Sequence, residues 1–384
     1  MRIGIDARYI GDHFPGIGRY IVSLTTALAQ IEHRHTLVVI HRSGAHDGDR
    51  YGFAATLDLP GVEAVAAGST AFGPGQQYEL PHLARRLKLD LYHAPYFIRP
   101  LFGMPCATVM TVYDLLGRRY PETLSLRGRI LYRLLMRISL HRADRLLAIS
   151  QHARHELAVL YGIPPEQVPV TPLAADPRFQ PQPQDRIIAL RRHYSLDRPY
   201  LLYVGSNKPH KNLARLVRAW ALVIGAGKAA DAQLLLAGHE DPRHPEIRTL
   251  VAASGLGGRI RFLPNIADND LPALYGGALG FVFPSYYEGF GLPPLEAMAC
   301  GVPVICSQAA SLPEVVGDAG LLVDPANVVA IADAIGRLIS EPDLRADLRR
   351  RSLVQAAQFS WRRTAEATLA VYEKAGKRRD FAGE

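Results

Sequence analysis

The sequence predicts an α/β protein made of two doubly wound domains, and three observations carry this prediction. The chain has 384 residues, 48% of them hydrophobic, which is too long for one ordinary core. Short apolar runs alternate with segments of helical period, a pattern typical of parallel strands covered by helices. Each half opens with a strand, a glycine-containing loop and a helix.

The elements are assigned in chain order from this alternation. In the first half, short apolar runs predict strands at 2–6, 36–41, 89–93, 106–112 and 145–149, and apolar residues at helical spacing predict helices at 17–31, 75–87 and 127–142. In the second half we predict a strand at 200–205, a helix at 211–224 and a strand at 233–237, with the alternation continuing to about residue 359.

Proline clustering marks the boundary between the domains. Residues 171–184 contain Pro172, Pro177, Pro181 and Pro183 in a polar setting, and repeated prolines end helices and favour extended chain. We therefore predict a first domain at 1–178, completed by a C-terminal helix at 361–384, and a second domain at 185–360.

Composition excludes several protein classes. The three cysteines lack C-x-x-C spacing, so neither a disulfide framework nor a zinc site is expected. The chain shows no signal-peptide pattern and no run of about 18 apolar residues, which together favour a cytoplasmic protein. The net charge is +8, with 44 Lys+Arg against 36 Asp+Glu, so an anionic partner is expected.

Most of the positive charge lies in residues 118–154. This segment has nine arginines against Glu122 and Asp144, a balance of 9 − 2 = +7. Within it, Arg129, Arg133 and Arg137 recur every four residues beside aliphatic residues, as in a basic amphipathic helix. Such a helix indicates either attachment to an anionic membrane surface or polyanionic acceptor, or an ordinary surface helix whose apolar side packs on the sheet. Nucleic-acid binding is not expected, because no aromatic residues interleave with the basic ones in a reader motif.

The densest chemical signal lies at 285–307. Glu288 and Glu296 are eight residues apart, and Gly289-Phe290-Gly291 between them form a loop that lets main-chain N–H groups approach a ligand. Pro293 and Pro294 then begin a helix, which places Glu296 in its first turn. Two carboxylates in this setting suit a ligand with two pairs of vicinal hydroxyls, as in a sugar nucleotide. The alternative is that Glu296 only complements the helix dipole.

This segment resembles the E-x7-E region of the retaining glycosyltransferases of family 4, and the resemblance extends over nearly the whole chain. Further stretches similar to that family are PGIGRY at 15–20, TVYDLLGRRYPE at 111–122, AISQHARHEL at 148–157, YVGSNKPHKN at 203–212, LAGHED at 236–241 and LPEVVGDAGLLVDP at 312–325. The resemblance implies the GT-B fold, in which two Rossmann-like domains face each other across a central cleft.

The resemblance also implies roles for individual residues in the second domain. Glu288 would bind hydroxyls of the donor sugar and Glu296 the ribose. The loop N–H groups of Gly289, Phe290, Gly291 and Leu292 would lie near the donor sugar and diphosphate. Diphosphate binding would further involve the loop after the first strand of this domain, with Gly205, Ser206, Lys208 and above all Lys211, predicted in the first turn of the next helix. The family's usual second cation is missing or has moved to Lys208, since His210 occupies one of its positions.

Candidates in the first domain lie after its strands. Gly16 and Gly18 would open the first helix towards the diphosphate, or form a tight turn only. An NAD site is rejected, because Ile21 stands where a third small residue belongs and the next strand ends without an acid. His93 and Asp114 are predicted at strand ends on the acceptor side, although a histidine in this position is equally often structural. Tyr113 replaces the histidine of many relatives.

The resemblance implies a front-face substitution, in which the leaving diphosphate takes the proton of the acceptor. We expect no metal site and no required cofactor, since no D-x-D signal stands where a metal-dependent transferase needs one. The nearest such signal, Asp268-Asn269-Asp270, falls at a predicted helix start, where capping of the helix is the simpler account. The expected function is hexosyl transfer, with GDP-mannose as the favoured donor, to a glycan or lipid-linked acceptor in surface-polysaccharide assembly at the inner face of the cell membrane. A sugar-nucleotide epimerase or phosphorylase of the same fold and a non-catalytic polyanion-binding module are the alternatives.

Overall fold

The computed structural model describes residues 1–11, 15–31, 33–42, 50–229, 231–264 and 266–380. The chain divides into two compact units: unit 1 is Met1–Leu173 together with the chain from Ser360 onwards, and unit 2 is Ala174–Phe359. Residues 12–14 of the glycine loop at 11–18, and the last four residues of the predicted C-terminal helix, lie outside the described residues.

Unit 1 is a parallel sheet of six strands flanked by helices, as the apolar alternation predicts. Its strands are β1 (Arg2–Asp6), β2 (Thr36–Arg42), β3 (Val62–Ala67), β4 (Leu91–Ala94), β5 (Ala107–Val112) and β6 (Arg145–Ala148). Its first helices are α1 (Pro15–Gln30), α2 (Phe53–Leu57), α3 (Gln76–Arg86), α4 (Leu116–Arg119), α5 (Leu126–Arg142) and α6 (Gln151–Tyr161).

Unit 2 repeats the same architecture. Its strands are β7 (Tyr200–Val204), β8 (Gln233–Ala237), β9 (Ile260–Leu263), β10 (Gly280–Phe283), β11 (Val304–Ser307) and β12 (Gly320–Val323). Its helices are α7 (Gln184–His193), α8 (Leu213–Gly225), α9 (Glu246–Ala253), α10 (Leu271–Gly276), α11 (Leu292–Ala299), α12 (Leu312–Val316), α13 (Val328–Ser340) and α14 (Pro342–Ala356). The last helix of the chain, α15 (Trp361–Asp380), belongs to unit 1.

Strand order defines where each sheet can hold a ligand. The orders are β3-β2-β1-β4-β5-β6 and β12-β11-β10-β7-β8-β9, which are the same doubly wound order. The α/β class and the doubly wound domains predicted from the sequence are confirmed. In such a sheet the chain winds away in opposite directions on the two sides of one strand pair, so the loops after these strands diverge and leave a crevice. This switch point lies between β1 and β4 in unit 1 and between β7 and β10 in unit 2.

The boundary between the units differs from the predicted one. Unit 1 ends at Leu173 rather than at 178, because the following residues pack within unit 2. Phe179 contacts the ring of Tyr275 edge-on at 5.8 Å, and Arg178 lies 3.9 Å from Asp268. The prolines therefore mark the region of the boundary correctly, but side-chain packing decides the residue at which it falls.

The helix α15 returns to unit 1 and packs on its sheet. Thr364 donates to the carbonyl of Pro172 at 2.5 Å, and Tyr372 reaches the buried face of β4. Among the described residues, none of the helices is both long enough and apolar enough to span a bilayer.

Candidate active site

The loops after β7 and β10 hold Lys211 and Glu288, two of the charged side chains that the sequence singles out in unit 2. Since β7 and β10 are neighbours at the switch point, residues far apart in the chain meet there. Lys211 Nζ donates to both carboxylate oxygens of Glu288, at 2.7 Å and 2.9 Å, across 77 residues of chain. The two side chains are only 16% and 14% exposed. The result is a mostly buried, bidentate ion pair at the position where this fold binds ligands.

Lys211 does not lie in the first turn of a helix, contrary to the prediction. It ends a single 3₁₀ turn, Pro209–Lys211, and Asn212 follows in the left-handed region at φ 61°. The amide of Asn212 donates to the carbonyls of Pro284 and Pro325, at 3.0 Å and 2.7 Å. These two bonds hold Asn212 in its unusual conformation, so α8 begins only at Leu213 and Lys211 is turned towards Glu288.

The loop that carries Glu288 is shaped by a serine and a glycine. Ser311 Oγ lies 2.9 Å from the carbonyl oxygen of Glu288 and 2.7 Å from that of Phe290, and donates to them. Gly291 has φ +119°, and a Cβ there would approach Leu312 to 2.8 Å. The positive φ favours glycine at this position, and any larger residue would also crowd the side chain of Leu312.

Four consecutive main-chain N–H groups next to Glu288 donate no hydrogen bond to any described residue: those of Gly289, Phe290, Gly291 and Leu292. The next two residues, Pro293 and Pro294, have no N–H group at all. Neighbouring N–H groups at the start of a helix form a site for an anion, because their partial positive charges converge. This part of the loop is therefore suited to phosphate or sugar oxygens.

Glu296 lies deeper in its helix than predicted. Because α11 already begins at Leu292, Glu296 is the fifth residue of the helix and falls after the first turn. It is 3% exposed, and the hydroxyl of Tyr275 donates to its Oε2 at 3.1 Å. A role limited to complementing the helix N-terminus does not fit this place, since that effect is largely confined to the first turn.

The loop after β7 is held by an asparagine that the sequence analysis did not single out. Asn207 donates to the carbonyls of Asp241 and His244, at 3.0 Å and 2.7 Å, and accepts from the N–H of Asp241 at 2.7 Å. These three bonds tie the loop after β7 to the loop after β8. The only signal in the sequence for this role of Asn207 is its place in NKPHKN, between a predicted strand and a lysine.

Gly205 and Ser206 lie where β7 ends, and Lys208 lies further along the same loop. A Cβ on Gly205 would meet the hydroxyl of Tyr203 at 2.6 Å, and that hydroxyl donates to the carbonyl of Ser206 at 2.8 Å. Lys208 is exposed and makes no ion pair with any described residue, so it differs from Lys211 in both burial and charge pairing.

His210, which stands where relatives have a cation, is buried. Burial, followed by the neighbouring charge of Lys211, lowers the pKa of His210 to about 4. The imidazole is therefore neutral near pH 7, and it does not replace the missing positive charge. Its Nδ1 has no hydrogen-bond partner among the described residues.

A small hollow of about 20 Å³ opens beside this loop in unit 2. It lies between the ends of β7, β8 and β9, and its lining includes Tyr203, Gly205, Leu236, Gly238 and Phe262. Its walls are largely apolar and aromatic, which suits contact with the face of a planar ring.

In unit 1, the catalytic role predicted for His93 does not fit its place. His93 is fully buried, with Nε2 2.8 Å from Thr111 Oγ1 and Nδ1 2.6 Å from the hydroxyl of Tyr372. Burial lowers its pKa to about 3. Both ring nitrogens are engaged inside the unit, so the histidine holds α15 against β4 and β5 and has no free nitrogen for a substrate.

The buried neutral state of His93 predicts how stability depends on pH. His93 takes up a proton near pH 6.5 in the unfolded chain and only near pH 3 in the folded chain, so its contribution to the unfolding free energy falls as pH decreases below about 6.5, by about 1.4 kcal/mol per pH unit. His93→Gln is expected to lower stability at pH 7 and to flatten this dependence. Urea unfolding of unit 1 between neutral and mildly acidic pH measures it.

The exposed His141 provides a matched control, because His141→Gln should keep the wild-type slope. A His93→Gln slope equal to that of wild type would contradict the assignment of His93 as a buried neutral group.

Asp114 follows β5, as predicted, and is half-buried. Its Oδ1 accepts from the N–H of Leu116 at 3.0 Å, a local turn directly before the short helix α4. Burial, and in second place the charge of Asp114, raise the pKa of Tyr96.

Tyr113 packs edge-on against Tyr20 at 5.3 Å, and its hydroxyl has no partner among the described residues. The ring of Tyr113 therefore packs inside unit 1.

Gly16 and Gly18 lie inside the first turns of α1, so they form helix rather than a turn. A Cβ on Gly18 would come within 3.0 Å of the Tyr51 ring, whereas a Cβ on Gly16 would meet no atom of the described residues within 4 Å. Close packing accounts for Gly18, while Gly16 lies at the exposed helix start, where N–H groups point outward.

No group of three or more His, Cys, Asp or Glu side chains in the described part of the chain is arranged to hold a metal ion. Asp268 and Asp270, the nearest approach to a metal motif in the sequence, are engaged elsewhere. Asp270 accepts from the hydroxyl of Tyr194 at 2.8 Å and makes no side-chain cap to α10, so the capping role expected for this segment is wrong.

Known families match both units. Residues 15–179 match the family described as Glycosyltransferase Family 4, and residues 189–353 match Glycosyl transferases group 1. The protein is therefore a glycosyltransferase. The chain is 33% identical over 382 residues to the O-antigen chain mannosyltransferase B of Escherichia coli, covering 93% of this chain and 96% of that protein. With this relative and the matches to both units, the chain belongs to glycosyltransferase family 4.

Of two further similarities, one covers less of the chain and the other is more distant in sequence. The MMP alpha-(1->4)-mannosyltransferase of Mycolicibacterium hassiacum is 35% identical over 240 residues, covering 60% of this chain and 54% of that protein. The solved sucrose-phosphate synthase of Thermosynechococcus elongatus superposes with a TM-score of 0.77 at 24% identity, covering all of both chains. Because the identity to the synthase is only 24%, this similarity shows the fold alone, which is the GT-B fold.

Proposed function

We propose that this glycosyltransferase moves a mannosyl group, with retention of configuration, from GDP-mannose to a glycan or lipid-linked acceptor in the assembly of a surface polysaccharide. One observation carries the catalytic part: the Lys211–Glu288 pair lies at the switch point of unit 2, beside four main-chain N–H groups that donate to none of the described residues. The choice of mannose and of a surface polysaccharide is supported by the relatives named as mannosyltransferases, one of them for the O-antigen chain.

In the proposed donor site, the Lys211–Glu288 ion pair stays intact while both side chains bind the donor. A lysine ammonium has three N–H donors, and Glu288 receives two of them, so one remains for a diphosphate oxygen. The Glu288 carboxylate has further lone pairs for sugar hydroxyls. The N–H groups of Gly289 to Leu292 add donors for the diphosphate, and the apolar side chains that line the hollow beside Gly205 offer a surface for the nucleotide base.

In the proposed reaction the bond between the anomeric carbon and the diphosphate oxygen breaks as the acceptor oxygen bonds to the same face of the sugar. The proton of the acceptor hydroxyl passes to the leaving diphosphate. The protein lowers the barrier by stabilising charge that develops on this diphosphate, through Lys211 and the loop N–H groups, and by holding the two substrates together. These groups supply positive charge without a metal ion or cofactor, so we propose that none is required.

A screen of nucleoside-diphosphate sugars by thermal shift tests the donor. A ligand at 100 times its Kd adds about 2.7 kcal/mol of stability, so GDP-mannose should raise Tm more than uridine-diphosphate sugars do. Transfer to mannose-terminated oligosaccharides, with and without EDTA, then tests the reaction, and NMR of the product reports the anomeric configuration. An isomerised sugar nucleotide formed without acceptor would identify an epimerase, and no turnover of any donor would leave a binding module.

Glu296→Gln tests the proposed ribose contact. The change keeps the shape of the side chain but removes the charge that accepts two hydroxyl protons, so donor Kd should rise at least tenfold, about 1.4 kcal/mol. Isothermal titration with GDP-mannose measures it. Glu246→Gln removes an equal charge from an exposed position of α9 and should leave the Kd unchanged. Equal affinities in all three proteins would remove Glu296 from the donor site.

We also propose that the protein works at the inner face of the cell membrane as a peripheral protein, because a lipid-linked acceptor would be presented there. The basic segment 118–154 of unit 1 is the part of the chain that suits this location.

A further inference from the structure

The outward side of α5 is apolar. Four aliphatic side chains of this helix are among the most exposed large hydrophobic residues of the protein: Leu126 at 73%, Ile130 at 66%, Leu131 at 56% and Leu134 at 54%. Leu126, Ile130 and Leu134 follow one another at intervals of four residues, so they lie on one side of the helix. We call these four residues the outer row.

The opposite side of α5 is the one that packs on unit 1. Met136, Ser139 and Leu140 are buried, and Ser139 donates to the carbonyl of Phe97 at 2.6 Å. Tyr132 packs edge-on against Phe97 at 5.0 Å. The interpretation of α5 as an ordinary surface helix, with its apolar side on the sheet, therefore accounts for the inner side only and leaves the outer row unexplained.

Exposed arginines that form no ion pair with a described residue lie on α5 together with the outer row. The helix contains five arginines and no acidic residue. Arg127, Arg133 and Arg137 are exposed, and none of them forms an ion pair with a described residue. Arg129 differs, since its Nε donates back to the carbonyl of Leu124 at 3.1 Å and its side chain is half-buried. The exposed charge of the predicted stripe of Arg129, Arg133 and Arg137 therefore comes from its last two members, and Arg127 adds a third exposed charge outside the four-residue spacing.

We propose that α5 lies in the plane of an anionic lipid bilayer, with the outer row at the boundary of the acyl chains and Arg127, Arg133 and Arg137 on the phosphate groups. An aliphatic row flanked by unpaired arginines is complementary to such a surface in both hydrophobicity and charge. The proposal extends the acceptor side of the proposed function and is independent of the identity of the donor.

Two other occupants fit the surface less well. A second copy of the chain, paired through the same face about a two-fold axis, would bring the arginines of both helices together, and like charges repel. A nucleic acid would match the charge but not the aliphatic row, because bases stack on aromatic side chains and the outer row contains none.

Vesicle binding of the full chain tests the proposal. Wild-type protein should co-sediment with vesicles of phosphatidylcholine and phosphatidylglycerol and not with phosphatidylcholine alone. The double variant Ile130→Gln, Leu134→Gln should weaken binding to the mixed vesicles at least tenfold. Arg133→Gln, Arg137→Gln should also weaken it at least tenfold and reduce its dependence on salt.

Matched controls remove the same chemistry elsewhere. Val159→Gln, Val354→Gln changes two valines of similar exposure, and Arg192→Gln, Arg218→Gln removes two exposed positive charges of unit 2. Both should bind vesicles like wild type. The thermal shift with GDP-mannose should be the same in every variant, which separates a failure of this proposal from a failure of the proposed donor.

Three results would overturn the proposal. They are equal binding to neutral and mixed vesicles, undiminished binding of the Ile130→Gln, Leu134→Gln variant, and a wild-type dimer that this variant converts to monomer. The last result, measured by analytical ultracentrifugation, would assign the outer row to self-association.

Discussion

Replacing Lys211 by methionine is expected to lower kcat/KM for mannosyl transfer by about 10²–10³, or about 2.7–4 kcal/mol of transition-state stabilisation. Methionine keeps most of the length of the side chain and removes the positive charge. In the proposed reaction that charge acts on the diphosphate as it leaves, when its negative charge is largest. The effect should therefore appear in kcat more than in donor Kd, and steady-state kinetics with GDP-mannose separate the two.

Lys208→Met is the matched control, because Lys208 belongs to the same loop but is exposed and lacks an ion pair. Its expected effect is less than tenfold. If Lys211→Met and Lys208→Met lowered kcat/KM equally, the loop would act only through its overall charge, and the role assigned to Lys211 would be wrong.

Glu288→Gln is expected to lower both turnover and stability, and the double variant with Lys211→Met separates the two effects. Each single variant leaves one charge of a mostly buried pair without its partner, at a cost of about 3 kcal/mol or more. The double variant removes both charges, so its loss of stability should be smaller than the sum of the single losses. Turnover should fall by a factor of about 10² or more in each single variant, and it should not recover in the double variant.

Chemical unfolding and initial-rate measurements on the four proteins complete this double-mutant cycle. Recovery of stability without recovery of turnover would show that the pair takes part in the reaction beyond holding the loops. Recovery of both would make it a purely structural salt bridge, and additive losses of stability would show that the two charges do not interact in solution.

Local periodicity explains why so much of the fold follows from the sequence. Strands such as β1 and β8 have the predicted bounds, because a short run of apolar residues between polar ones reports a strand buried on both faces. The exposed strand β3 was not predicted, since VEAVAA is mostly solvent-accessible and lacks this pattern. The glutamate spacing and the glycine loop at 285–307 are equally local, which is why the motif and the family resemblance could be read directly from the chain.

What the sequence alone determined is therefore the α/β class, the doubly wound pattern of two domains, the family and the identity of the charged residues in the motif. Only the tertiary structure decided what those residues touch. Lys211 meets Glu288 because neighbouring strands end together, and it leaves the helix because Asn212 bonds to two distant carbonyls. His93 becomes inaccessible because α15 returns to cover it. Burial and pairing depend on neighbours from elsewhere in the chain, and no spacing along the sequence reports them.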